Sequence, residues 1–203
     1  MRLRSIFAVL LGFASFACGD DGTTGGTGGA GGAPASLSLV TDSGPIEGAL
    51  LGTSRVFLGV PYAEPPVGSL RWRPPAPKTP WQEPRVSIAR GPTCAQGSPL
   101  DGAFATGSSE DCLTLNVWTP ERPGSAPLPV LVWIHGGGYI LGSGGDGAYD
   151  GQAFSETTHS VVVTINYRLG PFGFLAMPEL KQEDPALPSS GNYGLQDQRA
   201  ALA

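Results

Sequence analysis

The sequence predicts an α/β fold, and three observations predict it. Leu128 to Ile134 and Val161 to Tyr167 are continuous apolar runs of strand length, as in strands buried on both faces. Between them lie glycine-rich chain and Gln152 to Thr158, a short helix candidate, so the two runs read as sheet strands joined through a helical connection. Leu113 to Thr119 alternates apolar and polar residues and adds a third strand.

The 203 residues suffice for one domain with a real core. Glycine (31) and proline (20) are abundant, partly in one N-terminal tract and partly through turn-rich chain. Net charge is −5 and the isoelectric point about 4.9. No basic cluster interrupts this, which argues against nucleic acid as a partner.

Residues 1–18 read as an export signal. Arg2 and Arg4 form the basic start, and Ile6 to Phe16 an apolar segment too short to span a bilayer. Ala17-Cys18 resembles a bacterial lipoprotein cleavage site with Cys18 lipidated, although Ser15 stands where an aliphatic residue is usual. The alternative is plain signal cleavage. The expected location is therefore exported, either membrane-tethered through that lipid or secreted or periplasmic. Residues 19–35 are rich in glycine and threonine and carry no large apolar side chain, so they read as a flexible linker. Residues 36–203 form the folded part.

From Leu37 the elements follow in order. Leu37 to Thr41 alternates as a strand, and Gly44-Pro45 and Glu47-Gly48 mark turns. Arg55 to Tyr62 is a strand stopped by Pro61. The proline-rich chain up to Pro84 is extended and anchored by Trp72 and Trp81. Gly91 to Gly107 is a long loop. Cys94 and Cys112 are the two cysteines beyond the signal, and in an exported chain they favour a disulfide worth roughly 3 kcal/mol. Metal binding by two cysteines without spaced histidines is the weaker choice. At the far end, Asn192 is an N-cap candidate, with Leu195, Arg199 and Leu202 at helical spacing. Internal repeats are absent.

The most informative stretch is Pro129 to Tyr139, where an apolar strand empties into Gly136-Gly137-Gly138. Three successive glycines give up side chains and cost backbone entropy. A chain keeps them where backbone N–H groups must approach a negative charge closely. After a strand, His135 and these glycines resemble the oxyanion loop of lipases and esterases.

Other stretches resemble the type-B carboxylesterases in the same order. They are Phe57 to Gly68 with Leu70 to Arg73, Glu110 to Trp118, Asn166 to Arg168 with Phe172 to Leu175, and Gly191 to Arg199. The resemblance covers roughly Leu37 to the end. It implies the N-terminal part of an α/β-hydrolase fold, with an incomplete, mostly parallel sheet that has the oxyanion loop but not the nucleophile elbow. It implies a carboxylic-ester hydrolase acting on a small-molecule ester, without a cofactor. By this resemblance Gly137 and Gly138 donate to the oxyanion, Cys94 and Cys112 form the first disulfide, and Arg71–Glu110 and Arg168–Asp197 are structural salt bridges. His135 supports the loop, since the family's triad histidine lies far downstream, and His159 is a surface residue.

The family nucleophile is a serine in G-x-S-x-G, and no serine here has that spacing; Ser108, Ser109 and Ser143 all fail it. None of the triad is expected in this chain. The helix beginning near Asn192 precedes that serine in the family, so the resemblance implies a chain truncated before the nucleophile and inactive alone. It also implies an unpaired edge of Val/Ile-rich strands. A neuroligin-like binding module that lost the serine and a non-functional fragment are the alternatives. No tryptophan lies between Cys94 and Cys112, where cholinesterases place one against choline, which argues against a choline ester.

Overall fold

Ser38–Thr41 (β1) and Gly44–Glu47 (β2) form an antiparallel hairpin. Its turn is Asp42-Ser43, not the Gly44-Pro45 that the sequence suggests. The Thr41 hydroxyl closes the turn, donating to the Gly44 carbonyl at 2.7 Å and accepting from the Gly44 N–H at 3.2 Å. Gly44 is thereby the first strand residue after the turn. The computed structural model describes residues 35–97, 104–182 and 190–203. Cys18, the signal and all of the linker but Ala35 lie outside the described residues.

Ala49–Leu51 (β3), Ser54–Pro61 (β4), Arg85–Val86 (β5), Thr93–Cys94 (β6), Ser108–Ser109 (β7) and Thr114–Pro120 (β8) follow. Then come Val130–Ile134 (β9), the helix Gln152–Thr158 (α1), Val161–Ile165 (β10), Gly170–Phe174 (α2) and Tyr193–Ala201 (α3). The main sheet has the order β3-β4-β8-β10-β9, with β1-β2-β5 as a smaller sheet.

Where the resemblance implies a mostly parallel sheet, this part of it is mixed. β3–β4, β4–β8 and β8–β10 are antiparallel, and β10–β9 alone is parallel. The β9-to-β10 connection carries α1 and is long enough for a crossover, which parallel neighbours require.

Burial follows position in the sheet. β8, whose sequence alternates, is buried or half-buried throughout because it lies mid-sheet. On one face Val56, Trp118 and Val162 pack together; on the other Phe57, Val60, Leu115, Val163 and Ile165 join Ile46. Helix α1 lies on the first face. Gly151, just before it, sits so close that a Cβ there would meet Val162 at 2.7 Å and Trp118 at 2.8 Å.

β9 departs most from its expected burial. Its apolar run suggests cover on both faces, yet it is the outermost strand of its sheet, and Val130, Leu131, Trp133 and Ile134 are 40–49 % exposed. Its backbone pairs with β10 on one side and with no strand among the described residues on the other. Such an edge is open to pairing.

Helix α3 is also seated differently from its apolar spacing. Leu195 is exposed, while Tyr193, Gly194 and Asp197 are buried. A buried carboxylate, rather than a leucine stripe, faces the body. Asn192 holds the N-cap position without a side-chain cap bond.

Candidate active site

β9 and β10 run parallel, so their carboxyl ends open on the same side of the sheet. In open α/β sheets that side is where ligands bind. Ile134 at the end of β9 delivers His135 and the glycines; Ile165 at the end of β10 delivers Asn166 to Leu169 and then α2.

Gly137 (φ +113°), Gly138 (φ +61°) and Tyr139 (φ +63°) take positive φ in succession. A Cβ at Gly137 would strike the Leu141 carbonyl oxygen; at Gly136 and Gly138 it would meet open space. The Gly137 carbonyl accepts from the N–H groups of Ile140 (3.1 Å) and Leu141 (3.3 Å), which folds the loop back. Among the described residues, the N–H groups of Gly137 and Gly138 donate to no partner. Two adjacent unpaired donors at a strand end are an arrangement from which an anion could accept. Gly138 borders an open groove of about 490 Å³, lined also by Tyr139, Ile140, Pro171, Phe174 and Leu175.

Tyr139 is a residue that the sequence does not single out here. A bulky side chain at positive φ is strained. Its ring packs on Phe174 (4.9 Å between centroids) and edge-on to Tyr167 (6.4 Å), and its carbonyl accepts from the Gly170 N–H at 2.7 Å. These contacts hold the strained backbone and tie the glycine loop to α2.

His135 is 3 % exposed and stacks on Tyr167 at 4.4 Å. The Tyr167 hydroxyl donates to the His135 carbonyl at 2.8 Å. His135 Nδ1 lies 2.9 Å from the Gly136 carbonyl, which only accepts, so the proton is assigned to Nδ1. Nε2 then faces the interior without a partner among the described residues. Burial pushes the imidazole below its usual range. This is the environment of a neutral supporting ring, not of a base in contact with substrate.

The remaining predicted site residues find their partners outside the three glycines. Arg71 grips Glu110 with two bonds, of 2.5 and 2.6 Å, and the Glu110 carboxylate raises the guanidinium pKa. Arg168 binds Asp197 through Nε (2.8 Å), Nη2 (2.7 Å) and its own backbone N–H (3.0 Å), with both side chains at most 3 % exposed. Cys94 and Cys112 form a disulfide with both residues buried. His159 closes α1 in left-handed backbone (φ +51°), with its ring exposed against the Pro123 carbonyl.

The hydroxyls of Ser108, Ser109 and Ser143 are occupied structurally. Ser143 Oγ donates to Asn166 Oδ1 (3.1 Å) and accepts from the Gly145 N–H (3.0 Å), Ser108 Oγ donates to the Ala105 carbonyl, and Ser109 Oγ accepts from the Asp111 N–H. Among the described residues no three histidine, cysteine or acidic side chains gather as metal ligands would, and no helix is long and apolar enough to cross a membrane.

Two buried asparagines complete the loop's support. Asn166 Oδ1 accepts the Gly144 N–H at 2.8 Å, and its Nδ2 donates to the Pro92 carbonyl at 2.9 Å. Asn116 Nδ2 donates to the Gly144 carbonyl (3.2 Å) and to Thr164 Oγ1 (3.0 Å), while its Oδ1 accepts the Gly59 N–H (3.0 Å). Both lie within the family-like stretches, but nothing in their spacing marks them as anchors.

Residues 35–203 match the model of the carboxylesterase family. Fumonisin B1 esterase of Sphingopyxis macrogoltabida is 49 % identical over 163 residues, covering 80 % of this chain and 30 % of that protein. Para-nitrobenzyl esterase of Bacillus subtilis is 41 % identical over 167 residues, covering 81 % and 33 %. Acetylcholinesterase of Electrophorus electricus is 40 % identical, covering 82 % and 28 %. A solved PNB esterase superposes with a TM-score of 0.71 at 41 % identity, and a Geobacillus stearothermophilus carboxylesterase with 0.72 at 39 %. Each covers about four-fifths of this chain and 33 % of its own. The chain thus spans about a third of the length of these relatives, and its fold is that of the α/β-hydrolase carboxylesterases. On the family match and these identities together, it belongs to the carboxylesterase family.

Proposed function

We propose that these residues are the N-terminal part of an exported carboxylic-ester hydrolase that works by serine acyl transfer. The observation that carries the reading is the pair of unpaired N–H groups at Gly137 and Gly138 at the end of β9, with Gly138 on the rim of an open groove. Donors of this kind stabilise a tetrahedral oxyanion, and losing one typically costs about 3 kcal/mol of transition-state stabilisation. The substrate is a small-molecule carboxylic ester, and the chemistry calls for no metal or cofactor. The lack of a tryptophan between Cys94 and Cys112 speaks against a choline ester. Export through residues 1–18, with a lipid on Cys18 as the one membrane contact, completes the reading.

The 203 residues hold no G-x-S-x-G, and the serines nearest the loop are structurally engaged. The proposal therefore includes inactivity of residues 36–203 alone, with Arg71, Glu110, Arg168 and Asp197 as structural charges. Purified 36–203 should hydrolyse p-nitrophenyl acetate no faster than buffer, whereas turnover with labelling by a serine-hydrolase probe would refute the inactivity. Coding sequence beyond Ala203 that supplies G-x-S-x-G supports the enzyme, and a replaced serine there turns the reading to a neuroligin-like binding module.

A further inference from the structure

The geometry points to Gln96 as a positioning residue for the glycine loop, one that ties it to the disulfide-closed loop. The inference rests on reading Gly137 and Gly138 as the anion-facing donors. Gln96 is half-buried, two residues past Cys94. Its Oε1 accepts the Gly142 N–H at 2.9 Å, and its Nε2 donates to the Gly142 carbonyl at 2.9 Å. One carboxamide thus satisfies both polar groups of one residue, as a neighbouring strand would.

The clamp is itself held. Nε2 also donates to the Cys94 carbonyl at 3.0 Å, and the Gln96 carbonyl accepts from the Ala105 N–H at 3.0 Å. The Cys94–Cys112 disulfide and the parallel β6–β7 pair fasten this segment. What Gln96 holds matters to the donors. Gly142 (φ +121°) packs so tightly that a Cβ there would strike His135 Nδ1 and come within 2.6 Å of the Gly136 carbonyl. Gly142 and His135-Gly136 are the two ends of the segment that contains Gly137 and Gly138. Fixing one end against the other sets the loop's closure. Asn116 and Asn166 reach Gly144 from sheet strands and their ends, whereas Gln96 alone of the three reaches in from the disulfide loop.

Amide exchange and ¹H–¹⁵N spectra of the full chain test this without ester turnover, so an inert chain leaves the outcome readable. In Gln96→Met, Gly142 should exchange about tenfold faster, the loss of one hydrogen bond's protection. The Gly137 and Gly138 resonances should shift, and Val162 to Ile165 should keep their protection. Gln96→Glu keeps the acceptor and loses the donor, so its Gly142 protection should lie between the two, and it carries the comparison if the methionine variant fails to fold. Reduction of the disulfide should move the same three glycine signals. Unchanged Gly142 protection in a folded variant overturns the proposal. So do unmoved Gly137 and Gly138 signals, which would leave Gln96 as a brace of the disulfide loop alone.

Discussion

Replacing Gly137 by alanine separates a conformational requirement from simple looseness in the glycine run. At φ +113° an L-residue lies outside even the left-handed helical well, a strain of about 1–3 kcal/mol. The new methyl would also run into the Leu141 carbonyl, with its carbon at 2.8 Å and Leu141 Cδ1 at 3.0 Å. Overpacking against backbone costs a further ~1–3 kcal/mol. The sum is about 2–6 kcal/mol. Gly138→Ala is the matched control, since φ +61° lies within the left-handed well and its Cβ faces open space. Its cost is about 1–2 kcal/mol. Urea unfolding followed by tryptophan fluorescence reads both, with slopes of about 1–3 kcal/mol/M turning the difference into a midpoint shift. Gly137→Ala should lose clearly more than Gly138→Ala at unchanged slope. Equal losses, or a larger one at Gly138, would refute the steric account of the loop.

Two further outcomes follow from charges the fold has committed. Asp197→Ala strands the buried Arg168 guanidinium and should cost about 3–5 kcal/mol in unfolding free energy, while Arg168→Met combined with Asp197→Leu should recover much of it. Lys78 and Thr79 bind the Glu64 carboxylate and hold its pKa at about 2, below the ordinary 4.5. A lowered folded pKa stabilises fully above 4.5 and is lost as the pH falls toward 2. The stability gap between the natural chain and Glu64→Gln should therefore be largest at neutral pH and close between pH 4.5 and 2, as thermal melts across that range would show.

How much of the fold is legible in the sequence depends on what each residue answers to. Helix α1 is found where the sequence places it because its ends are held locally, with Asp150 Oδ1 accepting the Gln152 N–H at 3.0 Å and the His159 N–H donating to the Ser155 carbonyl. The β1–β2 turn lies two residues from its expected place because Thr41, an ordinary strand residue by propensity, supplies the closing hydroxyl. β8 and β9 reverse the burial that their patterns suggest. Apolar content says that a strand wants cover; it does not say which strands lie beside it. Among the described residues β8 has partners on both sides and β9 on one. α3 shows the same limit, since helical spacing finds Leu195 but cannot tell that Arg168, 29 residues away, draws Asp197 inward instead.

The glycine loop's positive-φ backbone is legible in the sequence and its supports are not, for a physical reason. An N–H that must meet an anion closely requires glycine, and three glycines after a strand leave a visible signature. Holding a peptide group in place requires a side chain that both donates and accepts, which a carboxylate or a guanidinium cannot do. Amides and hydroxyls can, and the supports at Gly142 and Gly144 are Gln96, Asn116 and Asn166, joined by the Thr164 hydroxyl on the Gly144 carbonyl. Isolated amide residues read in a sequence as turn or surface positions. Their role comes from the fold bringing residues 46, 28 and 22 positions apart within hydrogen-bond reach. The two ion pairs predicted from the sequence, Arg71 with Glu110 and Arg168 with Asp197, engage each other, while the side chains that set the loop are neutral. Neutral anchors suit a loop of this kind, because they fix the donors without bringing a net charge of their own beside the place where an oxyanion would form.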